Sequence, residues 1–457
     1  MLQPVRALLP IVAMIWLAAC SGSDDSPPPT TNPPTTTSQE PTKPPPITQP
    51  PNVAPPSTQP PGSQPPGSTP SGGTFTQGTG FNSHVRTIGM AQDGTHDLYV
   101  GGDFTAYNGT TANHLIRLRP NGTVAQTFGQ GFDEIVIALG LATEGSNALY
   151  ASGPFTQFNG QRVPQLIRLT PNGLRDTTFQ VGSLGFDTGI GTLAVPEDGS
   201  KDVYAAGSVS RPSPPLGNNG SVVRLNPDGT LDPTYSPGTF FIGGDPTVVA
   251  IATISVPPGS GKLYVGGSMS TVNGEDVGSF VRLNPDGTLD RTFATGTGTP
   301  GHPILDIVEA IAPARDGSGD VYAGGHIGIY NGTTVNSSIR VHEDGALDTS
   351  YAQAVQLFPN VICPAQDGTG DVLLSGFFSP DIFRLLRLNR NGALVSTFHE
   401  PSLAAEASFD PWVFTIVPVL DGTRDFYIGG GFTTYNGVPV NHIARIHADG
   451  SLASVVN

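Results

Sequence analysis

A short apolar run with arginine as its third residue recurs seven times in this chain, and that recurrence constrains the fold more than any other feature. It reads Leu115-Ile116-Arg117-Leu118, Leu166-Ile167-Arg168-Leu169, Val222-Val223-Arg224-Leu225 and Phe280-Val281-Arg282-Leu283. It returns as Ser338-Ile339-Arg340-Val341, Leu385-Leu386-Arg387-Leu388 and Ile443-Ala444-Arg445-Ile446. Successive arginines lie 47 to 58 positions apart. A repeat of this length marks one supersecondary unit that buries its apolar faces only against its neighbours.

Each unit has the same internal order. An apolar run such as Val85 to Met90 or Val413 to Val419 comes first, then a turn such as Asp93-Gly94 or Asp421-Gly422. A second run follows, as in Leu98-Tyr99-Val100-Gly101-Gly102, and then a loop often ending in Asn-Gly (Asn108-Gly109, Asn436-Gly437). The arginine run is third. A further Asn-Gly or Asp-Gly turn leads to a short fourth run that closes on an aromatic: Phe128, Phe179, Tyr235, Phe293, Tyr351 and Phe398. Asn-Gly and Asp-Gly accept the positive φ angles of tight hairpins, so four runs read as four antiparallel strands. Runs that are apolar at consecutive positions are buried on both faces, as in a sheet packed between similar sheets. The expectation is an all-β chain forming a single seven-bladed β-propeller of four-stranded antiparallel blades over residues 73–457.

The strings Tyr99-Val100-Gly101-Gly102-Asp103-Phe104-Thr105, Tyr107-Asn108-Gly109 and Ile116-Arg117-Leu118 resemble the bacterial delta-60 repeat. So do the Asp-Gly-x-Leu-Asp-x-x-Phe/Tyr stretches. The resemblance covers all seven units. Units three and six depart from it at Arg211-Pro212-Ser213-Pro214-Pro215 and Ser379-Pro380-Asp381. It implies a propeller in a secreted or surface protein and implies no catalytic residue.

Residues 1–19 read as a lipoprotein signal peptide. Arg6 supplies the positive end, Ala7 to Leu17 is mostly apolar, and Leu17-Ala18-Ala19-Cys20 resembles a lipobox. That resemblance implies a lipid on the Cys20 thiol and a bilayer as partner. Ser21 after the cysteine suggests the outer membrane of the cell envelope, the protein facing the periplasm or the surface. Residues 20–72 follow as a disordered stalk rich in Pro, Thr and Ser, with no aromatic residue to bury. Its proline runs favour a semi-rigid polyproline spacer. Cys363, the other cysteine, sits in an apolar run and reads as core.

Composition excludes some partners. A formal charge of −16 leaves no basic patch for nucleic acid. The nine histidines have no metal-ligand spacing, and the nucleophile elbow and the phosphate loop are absent. No cofactor, no metal and no catalytic residue are expected. The repeated Asp-Gly-Ser/Thr-x-Asp phrase reads as an Asx-type turn rather than a calcium loop. The seven arginines are expected to pair with repeated aspartates. One set is Asp97, Asp202, Asp320, Asp371 and Asp425; the other is Asp176, Asp232, Asp290 and Asp348.

In a four-strand meander the first–second and third–fourth turns share one end, here uniform. The second–third loops and interblade connections share the other, here variable. Variable loops on a rigid scaffold are where binding concentrates. The expected binding face comprises segments 210–219, 236–247, 294–307, 379–383 and 399–412, carrying Phe240, Phe241, His302, His399 and Trp412. The expected function is a binding or scaffold module, a monomeric propeller for envelope or extracellular proteins or glycans. The alternative is a propeller enzyme acting on polysaccharide through carboxylates near a central channel.

Overall fold

Asn-Gly and Asp-Gly hairpins fold the chain locally, and the arginine runs pair across them. The computed structural model describes residues 75–76, 78–182, 190–198, 200–210, 218–235, 239–241, 253–255, 257, 261–269, 271–293, 307–379, 382–406 and 410–455. The signal segment, Cys20, the stalk and His302 lie outside the described residues. Among those residues all regular structure is β-strand.

Every unit contains an antiparallel three-strand core. In unit one it is Val85–Met90, Leu98–Gly102 and Leu115–Leu118. In unit seven it is Val413–Pro418, Phe426–Gly430 and Ile443–Ile446. The second strand is central and wholly buried in both. First strands of successive units contact one another through the chain, and Val413–Pro418 contacts Val85–Met90.

The expected fourth strand forms a ladder only in unit one, at Val124–Thr127. In the other six units it is a single bridge: Leu169 to Arg175, Leu225 to Leu231, Leu283 to Leu289, Val341 to Leu347, Leu388 to Leu394 and Ile446 to Leu452. In units two to five the next residue is an aspartate that turns the chain. Asp176 Oδ1, for example, accepts from Thr178 N at 2.9 Å and from its hydroxyl at 2.6 Å. Unit one has Ala125 there and stays extended.

The seven arginines are paired with aspartates, and either of two sources supplies the carboxylate. In units one, six and seven it comes from the first turn: Asp97 at 2.8 Å, Asp371 at 2.8 Å and Asp425 at 2.7 Å from Nε. Those units carry Ala125, Val395 and Ala453 where a fourth-run aspartate would stand. In units two and four the fourth run supplies Asp176 and Asp290, both at 2.8 Å. There the turn position holds Ala148 and Lys262. Units three and five have both. The arginine also faces a tyrosine directly across the ladder, as Arg117 faces Tyr99 and Arg445 faces Tyr427. In unit six Leu373 takes that place. Several arginines reach the next unit as well. Nη1 of Arg168, Arg224 and Arg387 donates to the carbonyls of Pro227, Pro285 and Ala448 at 2.8, 2.6 and 2.8 Å. One residue therefore satisfies the turn, packs on the ring and clamps the neighbour.

Candidate functional site

The glycine at the end of the second strand, the second of a Gly-Gly phrase in units one, five and seven, has a specific task. A Cβ on Gly102, Gly325, Gly376 or Gly430 would strike the carbonyl of His84, Ile307, Phe358 or Trp412. Glycine lets the first strand approach that closely, and the strand bulges at the same level. The bulges skip Arg86, Glu309, Asn360 and Phe414 in units one, five, six and seven. Bulges re-aim side chains and gather at functional edges.

The residues around these bulges form an arc across units five, six, seven and one, at the second–third loop end. His326 and Phe358 stack with ring centroids 4.3 Å apart. Phe377 meets Trp412 edge-on at 4.2 Å, and Phe383 lies 4.7 Å from it. Trp412 stacks loosely on Phe414 at 6.0 Å, and the Arg86 guanidinium lies 4.6 Å over the Phe414 ring. His84 is 6.1 Å from Phe414 and 5.4 Å from His442. His326, Phe358, Phe383, Trp412, Phe414, His84 and Arg86 are half-buried. The hairpin joining Val372–Ser379 to Ile382–Leu388 exposes Phe378 and Ile382 beside them. The Arg384 guanidinium covers Phe378 at 5.3 Å and grips Glu400 with two bonds of 2.6 Å.

Polar groups are set among the rings. Arg86 holds Asp103 by two bonds of 2.8 and 2.7 Å. Burial opposes ionisation of Asp103, but Arg86 and His84 outweigh it and hold the carboxyl down at about 2. Burial pushes the Glu309 carboxyl up to about 7, and its Oε1 has no hydrogen-bond partner among the described residues. Asn360 Nδ2 donates to Val413 O at 2.8 Å, and its buried Oδ1 has no hydrogen-bond partner among the described residues. Unpaired buried acceptors are costly unless something else satisfies them. Burial, with His84 nearby, lowers His442 to about 4 and keeps it neutral; its Nδ1 lies 3.1 Å from Gly430 O.

Of the residues expected at the binding face, Trp412 lies at the centre of the arc. His399 does not join it. Its backbone N donates to Asp449 O at 2.7 Å, in the third–fourth turn of unit seven, so it belongs to the opposite end. The fourth run is too short to carry His399 across the sheet. Phe240 and Phe241 lie in a strand, Thr239–Phe241, that pairs with units three and four. Of the segments expected at that face, 399–412 is tied down in part, since Leu403–Ala404 pairs with Thr434–Tyr435. In units one and two the incoming connection bridges the Asn-Gly hairpin, Phe81 to Tyr107 and Phe132 to Phe158. His84, Arg86, Glu309, Asn360, Phe377, Phe383 and Phe414 were missed. The signal that finds most of them is positional: His84, Arg86, Glu309, Asn360 and Phe414 stand just before or at the first-strand bulge, and Phe377 and Phe383 face each other across the second and third strands of unit six.

The first aspartate of the Asp-Gly-Ser/Thr-x-Asp phrase is committed to the turn and, in units one, five, six and seven, to the arginine. Asp93 Oδ1 accepts from Thr95, and its Oδ2 accepts from Arg117. Among the described residues no group of three acidic, histidine or cysteine side chains is placed to hold a metal. Cys363 is buried, and burial pushes its thiol up to about 12.

The family model described as "Domain of unknown function (DUF5122) beta-propeller" matches residues 97–128, 147–179, 217–235, 259–293 and 427–452. Those matched stretches resemble the repeats of a β-propeller family. No curated protein matches the sequence. Among solved structures it is similar to the oligogalacturonate lyase of Vibrio parahaemolyticus, at 14% identity over 81% of this chain and 92% of that one, with a TM-score of 0.47. It is similar to the GH74 xyloglucanase of Xanthomonas campestris at 17% identity and a TM-score of 0.44. That match covers 70% of this chain and 46% of the other. It is also similar to the Pan2 WD40 domain of Neurospora crassa, at 9% identity over 76% and 86%, with a TM-score of 0.40.

Proposed function

We propose that this is an envelope lipoprotein whose seven units are the blades of one closed propeller, presented as a binding module for protein or glycan partners. The succession of first-strand contacts, with unit seven against unit one, supports a closed circle of seven. The resemblance of Leu17-Ala18-Ala19-Cys20 to a lipobox supports a lipid anchor at Cys20, with the stalk over residues 20–72 as spacer. The outer membrane is the destination that Ser21 favours.

The observation that carries the binding reading is the arc around Trp412. Half-buried rings offer apolar area at small entropic cost, and the orphan acceptors Glu309 Oε1 and Asn360 Oδ1 await donors. A partner with apolar faces and outward N–H or O–H groups fits both. Glu309 alone favours a second reading, a polysaccharide-cleaving enzyme with Glu309 as acid. Such an enzyme needs a second free carboxylate, and Asp103 is locked to Arg86 and Glu400 to Arg384.

The test is capture of envelope proteins and glycans by the purified full-length protein and by its Trp412→Ala variant. Retention lost in the variant, with folding intact, is the expected result. Equal capture by both sinks the assignment, and polysaccharide cleavage abolished by Glu309→Gln selects the enzyme.

A further inference from the structure

At the opposite end of the sheets, unit one differs from units five and seven in how its first-turn aspartate is covered. A cavity of about 520 Å³ opens there, lined by Thr95, Asp97, Arg117, Arg119, Pro120, Ala125 and Gln126. Three sequence differences make it. Ala125 replaces the fourth-run aspartate of units two to five, so the fourth run reaches inward with only a methyl. Gln126 lies directly across from Arg117 in the ladder. Arg119 stands where units five and seven carry His342 and His447.

Those two histidines reveal what unit one lacks. His342 Nδ1 lies 3.0 Å from Asp320 Oδ1, and His447 Nδ1 lies 2.9 Å from Asp425 Oδ1. Each caps the carboxylate oxygen that the clamping arginine leaves over. The hydrogen bond to Asp320 raises His342 above its ordinary value. In unit one the corresponding oxygen, Asp97 Oδ1, has no hydrogen-bond partner among the described residues, since Arg117 Nε takes Oδ2. Arg119 turns away and donates Nη1 to Val124 O at 2.6 Å. Its side chain is exposed and has no carboxylate partner among the described residues.

We infer that this cavity binds a small zwitterion, with its ammonium on Asp97 Oδ1 and its carboxylate on the free edge of Arg119. The local charges argue for both halves. Asp93 and Asp97 are balanced by Arg117 and Arg119, so a neutral ligand with separated charges fits without a net electrostatic cost. An ammonium donates to the same carboxylate oxygen that the histidines of units five and seven cover. A planar guanidinium is matched to a carboxylate fork. Thr95 and Gln126 offer further polar contacts, and the Pro120 ring offers an apolar wall.

The test is calorimetric titration of the full-length protein with glycine, β-alanine, 4-aminobutyrate and 6-aminohexanoate, which span a range of charge separations. Ethylammonium and acetate serve as single-charge controls. At least one zwitterion is expected to bind at least tenfold more tightly than either control. The Arg119→His variant rebuilds the internal cap of units five and seven. It is expected to melt no lower than the natural protein and to lose binding. Absence of binding by all four zwitterions at about 10 mM overturns the proposal. So does binding that survives Arg119→His in a folded protein, or binding matched by ethylammonium or acetate.

Discussion

The Phe75 ring meets Tyr427 edge-on, with centroids 5.5 Å apart at 65°, although the two residues lie at opposite ends of the folded chain. The same contact occurs inside units two to five. Phe179 meets Tyr150 at 5.3 Å, Tyr235 meets Tyr204 at 5.6 Å, and Phe293 meets Tyr264 and Tyr351 meets Tyr322 at 5.5 Å. In unit seven the position of the closing aromatic, four residues after Leu452, holds Val456. Phe75 supplies the ring. Phe75–Thr76 pairs in parallel with Ser454–Val455, and Thr76 N donates to Asn121 O at 2.9 Å. Gln180, the residue after Phe179, makes the matching bond to Asp228 O.

Phe75→Ala is therefore expected to destabilise the protein by about 3 kcal/mol, as a buried phenylalanine does and a chain-terminal one ordinarily does not. Phe179→Ala should cost a similar amount. Urea denaturation of both variants checks this. A loss below about 0.5 kcal/mol for Phe75→Ala means that the seam does not need the strand.

The repeat made the all-β class and the hairpin turns legible, because Asn-Gly and Asp-Gly act within a few residues. Phe75 was not legible as the seventh aromatic because it sits out of phase, ahead of the first unit instead of behind the last. The arc was half legible. Trp412 stands out by type, but Glu309 and Asn360 matter only because bulges in neighbouring strands bring them to one level. His399 was misplaced because a fourth run that turns after a single bridge keeps it at the end where that run began.

The two sources of carboxylate predict unequal costs for the same substitution. In unit seven, Asp425→Asn removes the Nε partner of Arg445, and Ala453 offers no replacement. In unit five, Asp348 stands 3.5 Å from Arg340 Nε when Asp320 is neutralised. Loss of one member of a buried pair costs up to about 3–5 kcal/mol, and here each arginine keeps its Nη2 partner, Asp421 at 2.8 Å in unit seven and Asp316 at 2.7 Å in unit five, so only the Nε contact differs. Asp425→Asn should therefore lower stability more than Asp320→Asn does, by about 1–2 kcal/mol. Equal melting temperatures for the two variants contradict the compensation.

Two groups of the arc oppose each other in pH dependence. His442 is depressed to about 4 in the folded state, so its contribution is present above its ordinary value of 6.5 and is lost as pH falls toward 4. Glu309 is raised to about 7, so its contribution is full below 4.5 and is lost as pH rises to about 7. Glu309→Gln removes the second loss and keeps the shape. The variant is expected to exceed the natural protein in stability at pH 8, by on the order of 2 kcal/mol, and to match it near pH 4. Denaturation at the two pH values decides it. A gain of the same size at both means that the carboxyl is not held protonated by burial.

The last prediction separates the arc from the scaffold that shapes it. Gly430→Ala places a methyl against the carbonyl of Trp412, a contact with backbone that no rotamer relieves. The first strand of unit seven must then move outward, which undoes the bulge at Phe414 and shifts Trp412 with it. Gly437→Ala, in the exposed Asn-Gly hairpin, meets no atom within 4 Å but is strained by its φ of +78°. Both substitutions should destabilise, the hairpin one by about 1 kcal/mol and Gly430→Ala by several times that. Only Gly430→Ala should change the emission of Trp412, the one tryptophan beyond Trp16. An unchanged spectrum for a folded Gly430→Ala protein would show that the second glycine of the Gly-Gly phrase does not set the geometry of the arc.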